Sequence, residues 1–159
     1  MTLMKETSKS VLLFRMQTVV CAMPISHVSE ILRPLPYETF KDLPPFISGV
    51  SVIRGTPLPV LNLNYLLGHE EKNSHMQRFI IIRNEDTHLA CLVDEVIGIE
   101  NIEAKTITEA PPLLRNTHAD LISAMGVLDQ KFLLVLQTLI DLPQEFRERL
   151  SKFKKEETV

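Results

Sequence analysis

Short apolar runs, broken by polar or turn-forming residues, recur along most of the chain. The runs are rich in Val, Ile and Leu, and this length and punctuation favour β-strands over helices. We predict strands over 11–16, 19–23, 28–32, 47–53, 57–61, 79–83, 89–93, 96–102, 121–128 and 132–136. Many short strands separated by turns are typical of barrels and sandwiches, so the pattern predicts an all-β protein.

The turns between these strands carry their own signals. Gln17-Thr18 separates the first two strands, and Arg54-Gly55 separates the fourth and fifth, where glycine permits a tight reversal. The last two predicted strands join around Asp129-Gln130. The polar segment 67–77 and the proline-containing segment 102–119 read as linkers, and the second is expected to cross between lobes or to cover an edge strand.

The clearest predicted helix runs from Pro143 to Lys154, with Pro143 suited to a first helical position. Phe146, Leu150 and Phe153 recur at helical spacing and form one apolar stripe. We expect this stripe to cap the barrel rather than to bind a partner. The remaining helical signal is a single turn over 63–67, ended by Gly68.

A weak internal repeat predicts two similar lobes. The strand Pro59 to Leu63 is echoed 75 positions later, and the segment Ala22 to Val28 is echoed 68 positions later. Similar offsets indicate a duplicated strand order with slightly different loops.

Composition removes several classes of function. The chain has 159 residues and a net charge of −3, which gives no basic excess for binding nucleic acid. No apolar run approaches the ~18–20 residues that a membrane-spanning helix needs, and 1–10 lacks a signal-peptide core. We therefore expect a cytoplasmic protein without direct membrane insertion. Cys21 and Cys91 lie in apolar runs and are predicted to be buried free thiols.

Candidate catalytic chemistry is sparse. None of the five histidines pairs with another histidine or a cysteine at zinc-binding spacing, and no glycine-rich phosphate loop occurs. Asp94 and Glu95 beside Cys91 oppose activation of that thiol. We predict no enzyme activity, no cofactor and no bound metal.

Several motifs occur in a fixed order: Pro24-Ile25-Ser26-His27-Val28-Ser29-Glu30-Ile31, then Pro45-Phe46-Ile47-Ser48-Gly49-Val50, Ile53-Arg54-Gly55 and Pro59-Val60-Leu61-Asn62-Leu63. Leu92-Val93-Asp94-Glu95-Val96 and the closing pair within 128–142 follow them. This order resembles the CheW family of chemotaxis coupling proteins over about 11–142. One departure is an amide, Asn62 and later Gln137, where the family usually has aspartate. A second departure is the first hairpin, Gln17-Thr18-Val19-Val20, where the family usually has glycine with acidic residues.

The resemblance implies two five-stranded, SH3-like barrel lobes that share a hydrophobic core. It divides the chain into a flexible 1–10, a single two-lobed domain over 11–142, and a C-terminal helix and tail over 143–159. It also implies two partners, the regulatory domain of a CheA-type histidine kinase and the cytoplasmic tip of a chemoreceptor.

The resemblance also assigns roles to residues. It implies kinase contact for Val28, Glu30 and Ile31, with Val28 and Glu30 expected on one side of their strand. It implies receptor coupling for Arg54, Ile47 and Val50. Gly49, Gly55, Asn62 and Asp94 are expected to shape turns.

The leading hypothesis is thus a non-enzymatic adaptor that couples receptors to a kinase. One alternative is a divergent paralogue that serves a different kinase or pathway, such as twitching motility. A less favoured alternative is a barrel that binds a small molecule, which would require an internal pocket with convergent polar groups.

Overall fold

The computed structural model describes residues 8–64, 74–84, 87–103, 108–109, 122–128, 131–136 and 142–157. Within them lie eleven strands, one 3₁₀ turn and one long helix. The strands are β1 (Ser8–Met16), β2 (Val19–Pro24), β3 (Val28–Leu32), β4 (Ile47–Ile53), β5 (Thr56–Leu61), β6 (Arg78–Ile82), β7 (Leu89–Val93), β8 (Glu95–Glu103), β9 (Thr108–Glu109), β10 (Ile122–Leu128) and β11 (Lys131–Leu136). The 3₁₀ turn spans Ile25–His27, and α1 spans Gln144–Glu157.

The strands form two sheets, and this architecture confirms the predicted all-β fold of two lobes. The lobe-one sheet has the order β8-β1-β2-β11-β10-β9, and the lobe-two sheet has the order β3-β6-β7-β5-β4. The strand that sequence reasoning missed is β9, which pairs with β10 at the edge of lobe one. It lies in the segment 102–119, where one expectation was a cover for an edge strand.

The chain passes between the lobes twice. β2 of lobe one leads through the 3₁₀ turn into β3 of lobe two, and β7 of lobe two leads into β8 of lobe one. We call these two places the first crossover and the second crossover. The lobe-two sheet is therefore one continuous segment, β3 to β7, whereas the lobe-one sheet combines β1 and β2 with β8 to β11 from the later part of the chain.

The weak repeat in the sequence corresponds to equivalent strand pairings in the two lobes. Phe14 pairs with Cys21 in lobe one, and 68 positions later Ile82 pairs with Leu89 in lobe two. The parallel pairing of Val135 with Ala22 likewise matches that of Val60 with Ala90. The lobes therefore share one plan down to the register of their strands.

A central core lies between the two sheets, and lobe two has a second core of its own. The central core includes Leu12, Phe14, Met23, Leu61, Ile80, Ile82 and Cys91, and Phe146 of α1 belongs to it, with Leu150 packed against it. The lobe-two core consists of Ile53, Leu58, Val60, Phe79, Ile81 and Ala90. Strands that face apolar neighbours on both sides are apolar throughout, which explains the uniform runs in the sequence.

Helix α1 begins one residue after the predicted start and extends beyond the predicted end. The contacts of Phe146 and Leu150 with the central core confirm that the first part of the stripe covers the barrel. The side chain of Phe153, the turn at 129–130, Gln137 and most of the predicted turn over 63–67 lie outside the described side chains or residues. Among the helices that the structure describes, none is long and apolar enough to cross a membrane.

Candidate protein-binding site

The β4–β5 hairpin turns on two residues in the left-handed backbone region. Arg54 has a φ of 52° and Gly55 a φ of 79°, and they separate the paired residues Ile53 and Thr56. Two successive positive φ angles suit the right-handed twist of the flanking strands in a two-residue hairpin. Glycine adopts this geometry without strain, whereas a positive φ is uncommon for a residue with a side chain such as Arg54.

The guanidinium group of Arg54 forms a bidentate ion pair with the carboxylate of Glu30. Nη1 and Nη2 of Arg54 each donate a hydrogen bond of 2.6 Å to one oxygen of Glu30. The Arg54 side chain is 69% exposed, whereas that of Glu30 is 28% exposed. Parallel hydrogen bonds of this kind fix the relative orientation of the two groups.

This ion pair connects the two edges of the lobe-two sheet. Glu30 lies on β3 at one edge, and Arg54 follows β4, the strand at the other edge. The pair can form only because the sheet curls until its edges approach each other. We call Arg54 and Glu30 the seam pair.

The seam pair also sets the protonation behaviour of Glu30. The hydrogen bonds from Arg54 lower the pKa of the Glu30 carboxyl below its ordinary value, and the charges of Arg54 and His88 act in the same direction against partial desolvation. A lowered pKa in the folded state means that the pair stabilises the fold near neutral pH. That contribution is lost as the pH falls through the folded-state pKa.

The expectation that Val28 and Glu30 share one side of β3 is wrong. Val28 pairs with Ile82, but Glu30 pairs with the adjacent residue Ile81, so Ser29 is an extra residue in a β-bulge. Val28 therefore faces the central core, as Ile82 does, while Glu30 faces the lobe-two core with Ile81. The i, i+2 rule fails here because it holds only for a strand of regular pleat.

The third proposed kinase contact, Ile31, is 41% exposed on β3. It pairs with Ile80, whose side chain belongs to the central core, so Ile31 lies on the same face as Val28. The structure thus places Val28 and Ile31 on one face of β3 and Glu30 on the other.

The residues expected to couple to receptors are not equally accessible. Arg54 is exposed, but Ile47 and Val50 are only 4% and 3% exposed and belong to the central core. Val50 lines the floor of a groove of about 200 Å³ between α1 and the 33–46 segment, which also includes Phe40, Leu43, Phe146, Arg149, Leu150 and Lys152. Direct contact through Ile47 or Val50 would therefore require a partner that reaches below the surface.

The residues expected to shape turns occupy four different settings. A Cβ added at Gly49 would lie 2.3 Å from the carbonyl oxygen of Glu38, where the chain bridges to Val50. The backbone N–H of Asn62 donates to the carbonyl oxygen of Phe46 at 2.7 Å. The carboxylate of Asp94 accepts a 2.6 Å hydrogen bond from the backbone N–H of Gln17 in the β1–β2 turn. Gly55 completes the turn that carries Arg54.

Two arginines that sequence reasoning did not single out hold the crossovers. The guanidinium group of Arg83 donates to the carbonyl oxygens of Ser26 and Val28, at 2.7 and 3.0 Å, in the first crossover. The guanidinium group of Arg15 pairs with the carboxylate of Glu95 in the second crossover. Arg15 and Arg83 are 68 positions apart, which is the offset of the internal repeat, so the repeat could have identified them as equivalent residues.

A cavity of about 380 Å³ opens at the end of lobe two beside the seam pair. We call it the lobe-two mouth, and its lining consists of Ser29, Glu30, Ile53, Arg54, Thr56, Leu58, Ile81, Thr87 and His88. Ile53, Leu58 and Ile81 belong to the lobe-two core and form the apolar floor. The seam pair, His88 and three hydroxyl groups form the rim.

Both cysteines are free and buried in the central core. Burial raises the pKa of each thiol to about 12, and the charge of Asp94 contributes at Cys21. Thiols with such pKa values are poor nucleophiles near neutral pH. Within the described residues, no group of three or more His, Cys, Asp or Glu is placed to hold a metal ion.

Comparison with known proteins assigns the chain to one family of domains. The model of the CheW-like domain matches residues 10–141. This match covers most of the chain, and the protein belongs to the CheW-like family.

Individual relatives are similar at lower identity. The chain is 30% identical to protein PilI of Pseudomonas aeruginosa over 102 residues, which cover 63% of this chain and 57% of PilI. It is 24% identical to the chemotaxis protein CheW of Helicobacter pylori over 126 residues, which cover 79% of this chain and 76% of that protein. The crystal structure of the scaffolding protein TtCheW from Thermoanaerobacter tengcongensis has the same fold, with a TM-score of 0.72 at 22% identity, over 82% of this chain and 90% of that one.

Proposed function

We propose that this protein is a non-enzymatic cytoplasmic adaptor that couples chemoreceptors to a CheA-type histidine kinase. The observation that carries the proposal is the match to the CheW-like domain over 10–141, together with the fold it shares with a scaffolding protein. Adaptors act through surfaces rather than reactive groups. The burial of both thiols and the largely exposed guanidinium group of Arg54 fit that role.

We propose that the kinase contacts lobe two at β3. Ile31 supplies an exposed apolar side chain on one face, and Glu30 lies at the rim of the mouth on the other. Val28 is half-buried and positions β3 through its packing on the central core. A partner that covers this edge of the sheet would contact both faces of the strand.

We propose that Arg54 is the direct receptor contact among the three receptor-coupling candidates. Its side chain is largely exposed, and its bond to Glu30 leaves several guanidinium N–H groups available. Ile47 and Val50 would then act indirectly, because their burial fixes β4 and with it the Arg54 turn. The two surfaces would meet at the seam pair.

A calorimetric titration against the regulatory domain of each CheA-type kinase in the cell tests the coupling role. We expect micromolar or tighter binding to one of them and weaker binding by Glu30→Gln. The control is Glu100→Gln, which replaces an exposed glutamate on β8 and should bind like the wild type. The absence of binding to every such kinase would contradict the coupling role.

A variant with the two charges exchanged tests whether the partner contacts the seam pair directly or whether the pair only stabilises the β4–β5 hairpin. Glu30→Arg combined with Arg54→Glu restores the ion pair with reversed polarity. If the pair only braces the hairpin, the double variant should recover the binding that each single variant loses. If the partner reads the individual charges, the double variant should remain weak.

The similarity to PilI favours a second candidate, a paralogue that serves a different kinase in a pathway such as twitching motility. The same titration distinguishes the two candidates, because it compares affinities for all CheA-type kinases of the cell. A preference for a kinase other than that of the chemotaxis pathway would support the second candidate.

A further inference from the structure

The groove of about 200 Å³ between α1 and the 33–46 segment has an apolar floor. We call it the helix groove, and its floor consists of Phe40, Leu43, Val50, Phe146 and Leu150. Val50 and Phe146 are buried members of the central core, and the other three side chains pack against that core. The floor therefore keeps its shape without a ligand, as in most binding sites for small molecules.

Backbone hydrogen bonds hold the wall of the helix groove that faces α1. The N–H of Glu38 donates to the carbonyl oxygen of Val50, and the N–H of Val50 donates to that of Glu38, both at 2.9 Å. The N–H of Ile47 donates to the carbonyl oxygen of Pro44 at 2.9 Å. These bonds fasten the 33–46 segment to β4, so the groove lies between two elements that the fold fixes in place.

The charged groups in the lining are two cations of α1, Arg149 and Lys152. The guanidinium carbon of Arg149 lies 5.8 Å from the centre of the Phe40 ring, and Nη1 donates a hydrogen bond of 3.4 Å to the carbonyl oxygen of Asp42. Neither cation forms an ion pair with a carboxylate among the described side chains. The helix groove thus combines an apolar floor with two positive charges that an anion can neutralise.

The size of the helix groove favours a small molecule over a protein segment. Its volume is that of roughly seven water molecules at ~30 Å³ each. A stable protein interface buries about 800 Å² on each partner, which requires a surface much wider than this groove. A short alkyl chain fills such a volume, and each methylene removed from water strengthens binding roughly fourfold.

We propose that the helix groove binds a small amphiphilic carboxylate, with its alkyl chain on the apolar floor and its carboxylate group on Arg149 and Lys152. Medium-chain fatty acid anions such as octanoate have this form. The bond to Asp42 leaves several guanidinium N–H groups of Arg149 available, and charge-assisted hydrogen bonds to a carboxylate are among the stronger ones. The groove shares no lining residue with the lobe-two mouth, so this site is separate from the surface proposed for the kinase.

Calorimetric titration with straight-chain carboxylates from butyrate to octanoate tests the fit of the chain. The affinity should rise roughly fourfold with each added methylene. Octylamine has the same chain length with the opposite charge, and it should bind roughly tenfold or more weakly than octanoate. The absence of saturable octanoate binding at millimolar concentrations would overturn the inference, and so would equal affinities for octanoate and octylamine.

Two variants test the location of the site. Arg149→Gln combined with Lys152→Gln removes both charges from exposed positions, and Leu43→Trp fills the groove from the opposite wall. The matched control is Arg147→Gln, which removes an exposed charge of the same helix outside the lining. We expect the double variant and the filled variant each to lose roughly tenfold or more in octanoate affinity, while the control stays within about twofold of the wild type. Thermal unfolding without ligand checks that each variant is folded.

Other outcomes place the ligand elsewhere or assign the groove to another occupant. Wild-type octanoate affinity in both the double variant and Leu43→Trp would show binding outside the helix groove and overturn the inference. Loss of kinase or receptor binding in the double variant, with no octanoate binding by the wild type, would assign the groove to a protein segment and overturn it as well. Octanoate binding and kinase binding are measured separately, so failure of the adaptor role would leave this site intact.

Discussion

Strands β3 and β8 occupy equivalent places in the two lobes but present different surfaces. Each follows a crossover, pairs with the first strand of a hairpin and carries a bulge at the equivalent position. Val28 on β3 corresponds to Val96 on β8, and both pack on the central core. Glu30, however, corresponds to Gly98, and the position equivalent to Arg54 holds Asp129, so the sequence of lobe one cannot form the same ion pair.

The outer residues of the two strands differ as well. Ser29 corresponds to Ile97 and Ile31 to Ile99, and these two isoleucines of β8 are 44% and 62% exposed. Lobe two thus presents a seam pair and a cavity, whereas lobe one presents an apolar edge. Buried positions and bulges are alike because the shared core constrains both, while exposed positions are free to serve different contacts.

The two crossovers differ in the acceptor that their arginine uses. Arg83 bonds to backbone carbonyl oxygens in the first crossover, and Arg15 bonds to the Glu95 carboxylate in the second. A backbone carbonyl oxygen is present whatever the side chain at that position. The ion pair with a carboxylate instead requires an acidic residue at one position, and its strength decreases as the salt concentration rises. The two equivalent crossovers are therefore held by different interactions, hydrogen bonds to the backbone in the first and an ion pair in the second.

The largest effect should come from truncating the equivalent core residues Phe14 and Ile82, which are at most 1% exposed. Phe14→Ala should lower the free energy of unfolding by about 3–5 kcal/mol and Ile82→Ala by about 2–5 kcal/mol. Because both belong to the central core, each variant should unfold in one urea transition that includes both lobes. Ile99→Ala, at an exposed position, is the control. Two separate transitions would show that the lobes are independent.

A smaller effect should distinguish the two crossover arginines. Arg83→Ala removes a donor from two carbonyl oxygens and should lower the free energy of unfolding by about 1 kcal/mol, at low and high salt alike. Arg15→Ala breaks an ion pair whose side chains are 41% and 33% exposed, so its effect should stay below about 1 kcal/mol and vanish at high salt. Urea unfolding at two salt concentrations measures both. An equal salt dependence would contradict the distinction between their acceptors.

The seam pair should produce a pH dependence that Glu30→Gln removes. The pKa of Glu30 is lowered in the folded state, so the ion pair stabilises lobe two fully at pH values above the ordinary carboxyl pKa of 4.5. This stabilisation is lost as the pH falls through the folded-state pKa and Glu30 becomes protonated. The wild type should therefore unfold at a higher temperature than Glu30→Gln at pH 7, and the difference should shrink as the pH falls. Glu100→Gln on β8 should show no such trend. A difference that persists after Glu30 is protonated would rule out the ion pair as its source.

The smallest effect concerns the thiols, which are equally protected in the two lobes. Cys21 lies in the lobe-one sheet and Cys91 in the lobe-two sheet, and both have pKa values of about 12. Neither should react with iodoacetamide near neutral pH in the folded protein, and both should react in urea. A Ser74→Cys variant, exposed at its new thiol, should react in the folded state. Selective labelling of one native cysteine would show that its lobe opens more readily.

Much of the fold was predictable because local signals agree with the final structure. Apolar runs predicted ten strands, the Arg54-Gly55 turn was visible from its glycine, and the stripe of the C-terminal helix indicated its buried face. The two-residue strand β9 was missed because so short a pairing leaves no periodic pattern. The family motifs pointed to β3 and the Arg54 turn, but they did not relate Glu30 to Arg54.

What the sequence determined by itself is the class of fold, the family and the approximate repeat, because each depends on residue types at short or fixed spacing. Only the tertiary structure decided that Ser29 forms a bulge, that Glu30 and Val28 face opposite ways, and that Glu30 meets Arg54. These facts depend on the register between distant strands and on the closure of a curled sheet. The register of the strands and the closure of the sheet arise because both lobes pack on one core. The pattern of residues within a short segment contains no information on such packing.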